Sequence, residues 1–242
     1  MLKLESVSKS YAGGKVKAVD GINLDVRNGE IFGFIGPNGA GKTTTIKMIC
    51  GILSPDSGKI EINGRDIVKD PIGAKRSIGY VPDNHEVYER LSGLEYLNFI
   101  CDVYGVSSSD RRQRMEKYLQ MFEIADAAGE KIKTYSHGMK QKLMITAALI
   151  HQPPLWILDE PLTGLDPRSS MLLKEEMHAH CKAGNTVFFS THILEVAERL
   201  CDRIGIIQHG KLIAVGTLDE LRGQEKSETL ESIFFELTER EG

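Results

Sequence analysis

One glycine-rich segment carries residues that could hold a phosphate group. It follows the apolar run 30–35 and precedes a helix-like stretch that ends at Cys50. In chain order its residues are Gly36, Pro37, Asn38, Gly39, Ala40, Gly41, Lys42, Thr43 and Thr44. The main-chain N–H groups of such a turn can converge on phosphate oxygens, and the following helix presents the positive end of its dipole to the same anion. Lys42 would reach the β- and γ-phosphates and Thr43 would bind Mg²⁺, so the segment is predicted to be a P-loop. Glycines also serve ordinary turns, but here every fixed position and both flanking elements are present.

Two carboxylates follow a second apolar run. The residues 155–158 lead directly into Asp159, Glu160 and Pro161. Ligands of open α/β sheets bind at the carboxyl ends of the strands. We therefore expect Asp159 to hold the water shell of Mg²⁺, and Glu160 to orient or deprotonate an attacking water. Alone, such a pair is typical of a polar loop, and it is the P-loop that favours the catalytic interpretation.

A third segment could bind a phosphate group from outside. Ser136 precedes a long predicted helix over 140–150 and is a natural N-cap residue. This helix start could simply be capped by the serine. Its hydroxyl, Gly138 and the free N–H groups could also bind the γ-phosphate of a second nucleotide.

Strands and helices must alternate to position these residues. Short strands are predicted at 2–7, 18–26, 31–35, 59–62, 155–158, 187–189 and 204–207. From about 82 to 153 the apolar spacing is helical, with Leu94 and Leu97 on one face. We therefore predict an α/β fold with a mostly parallel sheet and a helical lobe at about 82–153. A C-terminal amphipathic helix at about 228–239 is expected to dock onto its own domain.

Composition limits the classes of function. With 242 residues, 41% of them hydrophobic, the chain can bury a sizeable core, and one domain over 1–242 with a sub-lobe is expected. No apolar stretch is long enough to cross a bilayer, so any membrane role needs a partner. A net charge of −4 gives no basic excess, and we expect no nucleic-acid partner. The four cysteines are scattered, which indicates neither a zinc site nor a disulfide framework.

Together these segments resemble the ATP-binding subunit of an ABC transporter, over nearly the whole chain. Ser136 and Gly138 match the family's Leu-Ser-Gly-Gly-Gln signature, whereas Tyr135, His137 and Met139 depart from it, as in many exporter-like members. The resemblance implies a P-loop NTPase fold of the ABC type. It also implies a mixed core sheet, an N-terminal antiparallel β subdomain and a helical subdomain.

Further family elements follow in the expected order. The segment 162–166 looks like the D-loop, which in relatives crosses the interface between two ATPase subunits. His192, after a strand and opening a helix, looks like the switch histidine that touches the γ-phosphate. The resemblance thus makes Lys42, Glu160 and His192 the catalytic residues. Tyr11 matches the aromatic residue that stacks on adenine. In isolation, His192 and Tyr11 would be interpreted as an ordinary surface histidine and a loop tyrosine.

Asp83 stands where most relatives carry a glutamine that links the two lobes. A carboxylate here could coordinate Mg²⁺ directly, yet it also adds negative charge beside a triphosphate. Some exporter-type relatives look similar at this position, so Asp83 joins Thr43 and Asp159 as an expected metal ligand. The segment 87–91 either borders a groove for the coupling helix of a transmembrane subunit or packs in the core.

The resemblance implies that one chain is not the whole machine. ATP would lie between Lys42 of one copy and Ser136 of another, in a head-to-tail homodimer or heterodimer. A transmembrane permease subunit would carry the substrate, with this chain at the cytoplasmic face of the membrane. The expected activity is ATP hydrolysis, with ATP and Mg²⁺ bound, coupled to transport; the resemblance favours export.

Other classes of function fit these segments less well. A GTPase would need Asn-Lys-x-Asp, which does not occur, and a small-molecule kinase would not need the signature helix, D-loop and switch histidine. A soluble non-transport ABC ATPase stays open as an alternative, although repair types carry a coiled-coil insertion and translation types join two cassettes. A regulatory module that uses ATP only to dimerise is disfavoured, because Glu160 and His192 fill both hydrolytic positions.

Overall fold

The predicted strands are present, and most extend beyond the predicted limits. The computed structural model describes residues 1–84, 88–222 and 229–239. Its strands are β1 (Leu2–Tyr11), β2 (Val16–Val26), β3 (Ile31–Ile35), β4 (Ser57–Ile62), β5 (Arg65–Asp66), β6 (Ile78–Val81), β7 (Leu155–Asp159), β8 (Thr186–Thr191), β9 (Arg203–Gln208) and β10 (Lys211–Gly216).

Helices fill the intervals between these strands. They are α1 (Lys42–Ile49), α2 (Pro71–Lys75), α3 (Gly93–Tyr104), α4 (Ser108–Met121), α5 (His137–Leu149), α6 (Pro167–Lys182), α7 (Leu194–Leu200), α8 (Leu218–Arg222) and α9 (Leu230–Glu239). Short 3₁₀ turns lie at Ala12–Gly14 and Ile132–Thr134. Among the described helices, none has both the length and the apolar character needed to cross a bilayer.

The N-terminal strands form an antiparallel sheet in the order β2-β1-β4-β5. Its buried face is built from alternate residues, as a strand with one solvated face requires: Leu2 and Leu4 of β1 and Leu24 and Val26 of β2 are buried. This face packs in one core with α1 and with residues of the second sheet, such as Phe34. The antiparallel sheet is thus anchored to the helix that follows the glycine-rich turn.

The second sheet has the order β10-β9-β3-β8-β7-β6. β6, β7, β8, β3 and β9 run parallel, and β10 pairs with β9 in the antiparallel direction. The sheet is therefore mixed, which confirms the predicted α/β class. Every residue of β3 and of β7 is buried, as expected for strands covered on both faces. Because their carboxyl ends share one edge, the segments after β3, β7 and β8 emerge together.

The helices α3, α4 and α5 follow β6 and precede β7. Ser92 and Glu95 form a capping box at the start of α3, and Ser107 caps α4. Leu97 is buried and Leu94 is 39% exposed, so the predicted apolar face of this helix is only partly covered. The buried stripe of α3 also includes Tyr96, which shifts its centre and leaves Leu94 at the margin.

The C-terminal helix packs on its own domain. Leu230 and Ile233 of α9 are buried, and Phe234 and Leu237 contact the same cluster, which includes Ala197 of α7. Gln208 at the end of β9 donates its Nε2 hydrogen to the carbonyl of Thr238 at 3.1 Å. Position 228, where this helix was predicted to begin, lies outside the described residues.

Candidate functional site

The turn between β3 and α1 is shaped by two glycines that cannot be replaced. A Cβ atom on Gly36 would lie 2.3 Å from the carbonyl oxygen of Ile207. Gly41, the N-cap of α1, has φ of +108°, and a Cβ atom there would lie 2.4 Å from the carbonyl of Ala18. Side chains are thus excluded where the turn touches β9 and β2, and the turn leads directly into the N-terminus of α1.

This turn lines a cleft of about 210 Å³. The lining consists of the residues from Pro37 to Thr44, together with Ala18, Asp83 and Glu160. The turn that was predicted to bind phosphate therefore faces carboxylates that come from two other parts of the chain. Ala18 was not predicted at this site, because nothing in the local sequence marks an alanine of a strand as a ligand contact.

Lys42 lies at the base of the cleft and is buried. Its Nζ donates to the carbonyl oxygens of Gly36 at 2.6 Å and Pro37 at 3.1 Å, and it lies 3.8 Å from Glu160 Oε1. Burial lowers the pKa of Lys42, while the charges of Glu160, Asp159 and Asp83 oppose this shift. The ammonium group is therefore held among anions, in the position from which it would meet a phosphate.

Asp159 ends β7 and is almost completely buried. Its Oδ1 accepts a hydrogen bond of 2.5 Å from Ser190 Oγ, whereas its Oδ2 has no hydrogen-bond partner in the described part of the chain. Burial raises the pKa of the Asp159 carboxyl, and hydrogen bonds from Ser190 and Thr43 oppose that rise. A buried carboxylate oxygen without a partner is costly unless a cation or a donor completes the site.

Glu160 links the cleft to the end of β8. Its backbone has φ of +49°, a conformation that residues with side chains rarely adopt. Its carboxylate lies between two nitrogen atoms, with Oε1 3.8 Å from Lys42 Nζ and Oε2 3.1 Å from His192 Nδ1. The P-loop lysine, the second carboxylate of the Asp-Glu pair and the histidine are thus brought together by the fold.

His192 itself precedes the helix that it was predicted to open. α7 begins at Leu194, because Ile193 is extended and donates its N–H to Thr191 Oγ1 at 3.1 Å. The His192 side chain is half exposed. It contacts Glu160, but it is not among the described residues that line the cleft.

Asp83 is exposed on the rim of the cleft. Burial lowers the pKa of Lys42 and raises that of Asp159; the charge of Asp83 opposes the first shift and adds to the second, so Asp83 lies within electrostatic range of both groups. Asp83, which stands where most relatives carry a glutamine, thus lies at the same cleft.

Other predicted residues lie elsewhere in this chain. Within the described ranges, the lining of the cleft includes neither Tyr11 nor Ser136. Tyr11 ends β1 and is 43% exposed. Ser136 caps α5 as predicted and accepts a hydrogen bond of 3.3 Å from the N–H of Met139. Gly138 follows in the first turn of α5, where an added Cβ atom would lie 3.2 Å from the Gly164 carbonyl.

The signature segment and the D-loop segment touch within one chain. Gln141 of α5 donates to the carbonyl of Pro161 at 2.9 Å, and Lys142 lies 3.1 Å from Asp166. The ring of His137 covers Gly164, since a Cβ atom there would approach His137 Cδ2 to 2.5 Å. The start of α5 is therefore fixed to the segment that follows Glu160.

The oxygen atoms at the cleft fit a magnesium ion. Mg²⁺ prefers oxygen ligands and is usually bound by one or two carboxylates together with phosphate groups. Thr43 lies close enough to Asp159 to lower the pKa of its carboxyl, Asp159 Oδ2 lacks a hydrogen-bond partner among the described residues, and Asp83 adds a carboxylate at the rim. The chemistry of these groups therefore suits such an ion.

Comparisons with known proteins identify the family of the chain. Residues 19–163 match the family model described as ABC transporter. The linearmycin resistance ATP-binding protein LnrL of Bacillus subtilis is 42% identical over 91% of this chain and 70% of its own length. The doxorubicin resistance ATP-binding protein DrrA of Mycobacterium tuberculosis is 39% identical over 90% of this chain and 66% of its own length. EcsA of Bacillus subtilis, an ABC-type transporter ATP-binding protein, is 37% identical over 100% of this chain and 98% of its own length. The chain thus spans about two thirds of the length of several relatives.

Solved structures show the same fold. The structure of an ATP binding subunit of an ABC transporter superposes with a TM-score of 0.94 at 36% identity, covering 98% of this chain and 99% of that chain. A dimeric ATP-binding cassette in a post-hydrolysis state, bound to ADP and Pi, superposes with a TM-score of 0.82 at 27% identity, covering 90% of this chain and 99% of that chain.

Proposed function

The chain belongs to the ABC transporter family, and we propose that it binds and hydrolyses ATP to power transport through a separate transmembrane permease. The observation that carries this proposal is the position of the Glu160 carboxylate, between Lys42 of the P-loop and His192 after β8. These groups come from three separate segments; Lys42 and Glu160 line one cleft, and His192 contacts the Glu160 carboxylate. A binding module that does not hydrolyse ATP would not need this convergence.

We assign the triphosphate to the P-loop. The main-chain N–H groups at the start of α1 would bind phosphate oxygens, and Lys42 would exchange its bonds to the Gly36 and Pro37 carbonyls for bonds to the β- and γ-phosphates. Tyr11 would stack on the adenine. Thr43, Asp159 and Asp83 would hold Mg²⁺, which when bound neutralises part of the phosphate charge.

We assign the hydrolytic step to Glu160 and His192. Glu160 lies at the cleft with its carboxylate partly buried, so it can orient a water molecule and accept its proton. His192 contacts that carboxylate through Nδ1 and would orient it, while its exposed side reaches the γ-phosphate. Lys42 would stabilise the negative charge on the phosphoryl oxygens during transfer.

Replacing Glu160 by Gln tests the proposal. The amide keeps the shape of the side chain but cannot accept a proton, so ATP binding should be retained and turnover should fall by roughly 10²–10⁴-fold. Titration with a fluorescent ATP analogue and a phosphate-release assay measure the two quantities. Glu175→Gln, at an exposed position of α6, is the matched control and should behave like the wild type. Hydrolysis at the wild-type rate in Glu160→Gln would contradict the assignment.

A second copy is needed to complete each site. Ser136 and Gly138 lie at the exposed start of α5 and do not line the cleft of their own chain. We propose that they contact the γ-phosphate bound by a neighbouring subunit, in a homodimer or heterodimer. The dimeric solved relative with ADP and Pi supports this arrangement.

We place the permease on an exposed aromatic surface of the helical lobe. Tyr88 is 64% exposed, and its ring packs edge-on against Phe99 of α3, with the centroids 6.1 Å apart. Val103, one turn further along α3, is also exposed. Val87, the first residue of the predicted coupling segment, lies outside the described residues. Exposed apolar surface of this kind suits contact with another protein, and it would hold the chain at the cytoplasmic face of the membrane.

Export is the direction that the relatives support. LnrL and DrrA are named for resistance to linearmycin and doxorubicin. We propose by analogy that this chain powers removal of a substrate from the cell, with the substrate chosen by the permease.

A further inference from the structure

Ser190 contacts both acidic residues of the site, and the function proposed above gives it no role. Its side chain is completely buried in β8. In the register of the sheet it lies opposite Asp159 of β7 on one side and Phe34 of β3 on the other. The hydroxyl group therefore lies between the strand that leads into the P-loop and the strand that leads to the carboxylates.

Three hydrogen bonds connect Ser190 to these carboxylate residues. Its Oγ donates to Asp159 Oδ1 at 2.5 Å. The N–H of Glu160 lies 3.2 Å from Ser190 Oγ and 3.2 Å from the Ser190 carbonyl. A serine hydroxyl has one proton and two lone pairs, so donating to Asp159 leaves it free to accept from Glu160. One side chain thus restrains the rotation of the Asp159 carboxylate and the backbone of Glu160 together.

The backbone of Glu160 needs this restraint. Its φ of +49° is unfavourable for a residue with a side chain and persists only where the surroundings hold it. Both hydrogen bonds of its N–H go to Ser190. His192, which follows Ser190 by two residues, contacts the carboxylate of Glu160. Ser190 and His192 therefore hold Glu160 from the main chain and from the side chain.

We propose that Ser190 is a positioning residue that holds Asp159 and Glu160 in the geometry required for ATP hydrolysis. The proposal rests on the roles assigned to those two residues above. A serine with only a structural role would satisfy its own hydroxyl group, and its loss would lower stability without changing the turnover of the folded protein.

Ser190→Ala in the full chain separates these roles. We expect an unchanged ATP dissociation constant, measured without divalent cation, and a kcat lower by roughly 10²-fold, as when catalytic groups are slightly misplaced. Mn²⁺ binding to the ATP complex, followed by electron paramagnetic resonance, should weaken as well, because the Asp159 carboxylate is free to rotate. Thr186→Val is the matched control. It removes a buried hydroxyl at the other end of β8, where Thr186 donates to the carbonyl of Arg27, and it should change neither quantity.

Wild-type kcat and Mn²⁺ affinity in Ser190→Ala, or equal losses in Thr186→Val, would overturn the proposal. If circular dichroism shows that Ser190→Ala does not fold, Ser190→Thr and Ser190→Cys replace it. Threonine keeps the hydroxyl and should retain turnover, whereas cysteine is a weak donor and should lose it; equal turnover of the two would also overturn the proposal. A wild type that does not hydrolyse ATP, or a fully active Glu160→Gln, would count against the proposed function instead.

Discussion

Glu160 shows how a single residue can combine an unfavourable backbone with a required side chain. A glycine would adopt φ of +49° more readily, but only a carboxylate can face both Lys42 and His192. The left-handed backbone directs the chain away from β7 immediately after the buried Asp159. Strain of this kind is typical of functional sites, where the surrounding structure compensates for it.

Asp83 adds a negative charge to a cleft proposed to bind a triphosphate, and this has a testable consequence. In Asp83→Gln, ATP without metal should bind roughly five- to tenfold more tightly, an effect of about 1 kcal/mol for close charges screened by water. The Mg²⁺ concentration for half-maximal hydrolysis should rise, because one oxygen ligand is lost. Calorimetry without metal and a Mg²⁺ titration of the ATPase measure the two effects. Asp126→Asn, at an exposed position away from the cleft lining, is the control; unchanged values in Asp83→Gln would remove Asp83 from the mechanism.

At the scale of elements, one half-buried and one buried histidine connect helices to the sheets. His151, just after α5, stacks on Tyr104 of α3 with ring centroids 3.6 Å apart, and its Nε2–H donates a 3.0 Å hydrogen bond to the Ile78 carbonyl. His180 of α6 packs edge-on against Trp156 of β7 at 5.6 Å. Burial lowers the pKa of each histidine to about 4. Both are therefore neutral in the folded protein at neutral pH.

These histidines predict a loss of stability in weak acid. The unfolded chain binds the two protons near pH 6.5, and the folded chain only near pH 4, so stability is full above pH 6.5 and falls as the pH approaches 4. Between pH 7 and pH 5 the free energy of unfolding should decrease by about 2 kcal/mol for each histidine. Urea unfolding of the wild type and of a His151→Phe, His180→Phe double variant measures this, and the variant should show the weaker pH dependence. His178→Gln, at an exposed position of α6, should keep the wild-type dependence; an equally steep loss in the double variant would assign the effect to other groups.

At the scale of the whole molecule, the two segments proposed to bind different nucleotides are separate parts of the chain. The P-loop cleft opens beside the carboxyl ends of β3, β7 and β8, whereas the start of α5 presents Ser136 away from that cleft. The contacts of α5 with Pro161 and Asp166 connect the second of these segments to the segment after Glu160. A nucleotide enclosed between two copies would contact the P-loop cleft of one copy and the start of α5 of the other. Because these two segments are connected within each subunit, the nucleotide would affect both of them.

Separate substitutions of two serine N-caps distinguish an effect on dimerisation from an effect on helix stability. Ser136→Ala and Ser107→Ala each remove a hydroxyl that accepts from the third residue of its helix, at 3.3 Å and 3.2 Å, and each should cost about 1 kcal/mol of stability. Only Ser136→Ala should also weaken the ATP-dependent dimer, because only that hydroxyl is proposed to face a second nucleotide. Size-exclusion chromatography with light scattering, in a Glu160→Gln background with ATP, measures the dimer. Equal dimer fractions in the two variants would rule out the contact by Ser136.

The sequence was sufficient where the signals are local. The order of apolar runs predicted an α/β fold with a mostly parallel sheet, and the resemblance carried by the P-loop, the Asp-Glu pair and the segment at Ser136 implied the ABC type with a mixed sheet; the fold is confirmed. Weaker local signals were missed: β6 has four residues including Gly79, and β10 is a half-buried edge strand without strict alternation. The helix α6 was also missed, although Asp166 and Pro167 mark its start.

Only the tertiary structure decided which distant groups meet. The pairing of parallel strands brings Lys42, Glu160 and His192 to one sheet edge, and the register of β7 with β8 sets Ser190 against Asp159. No local pattern marks Ser190 or Ala18, because their positions at the site arise from neighbours that are far away in the chain. The residue at each position determines the chemical type of each group, whereas strand order and register determine the distances between the groups. The chemistry depends on both.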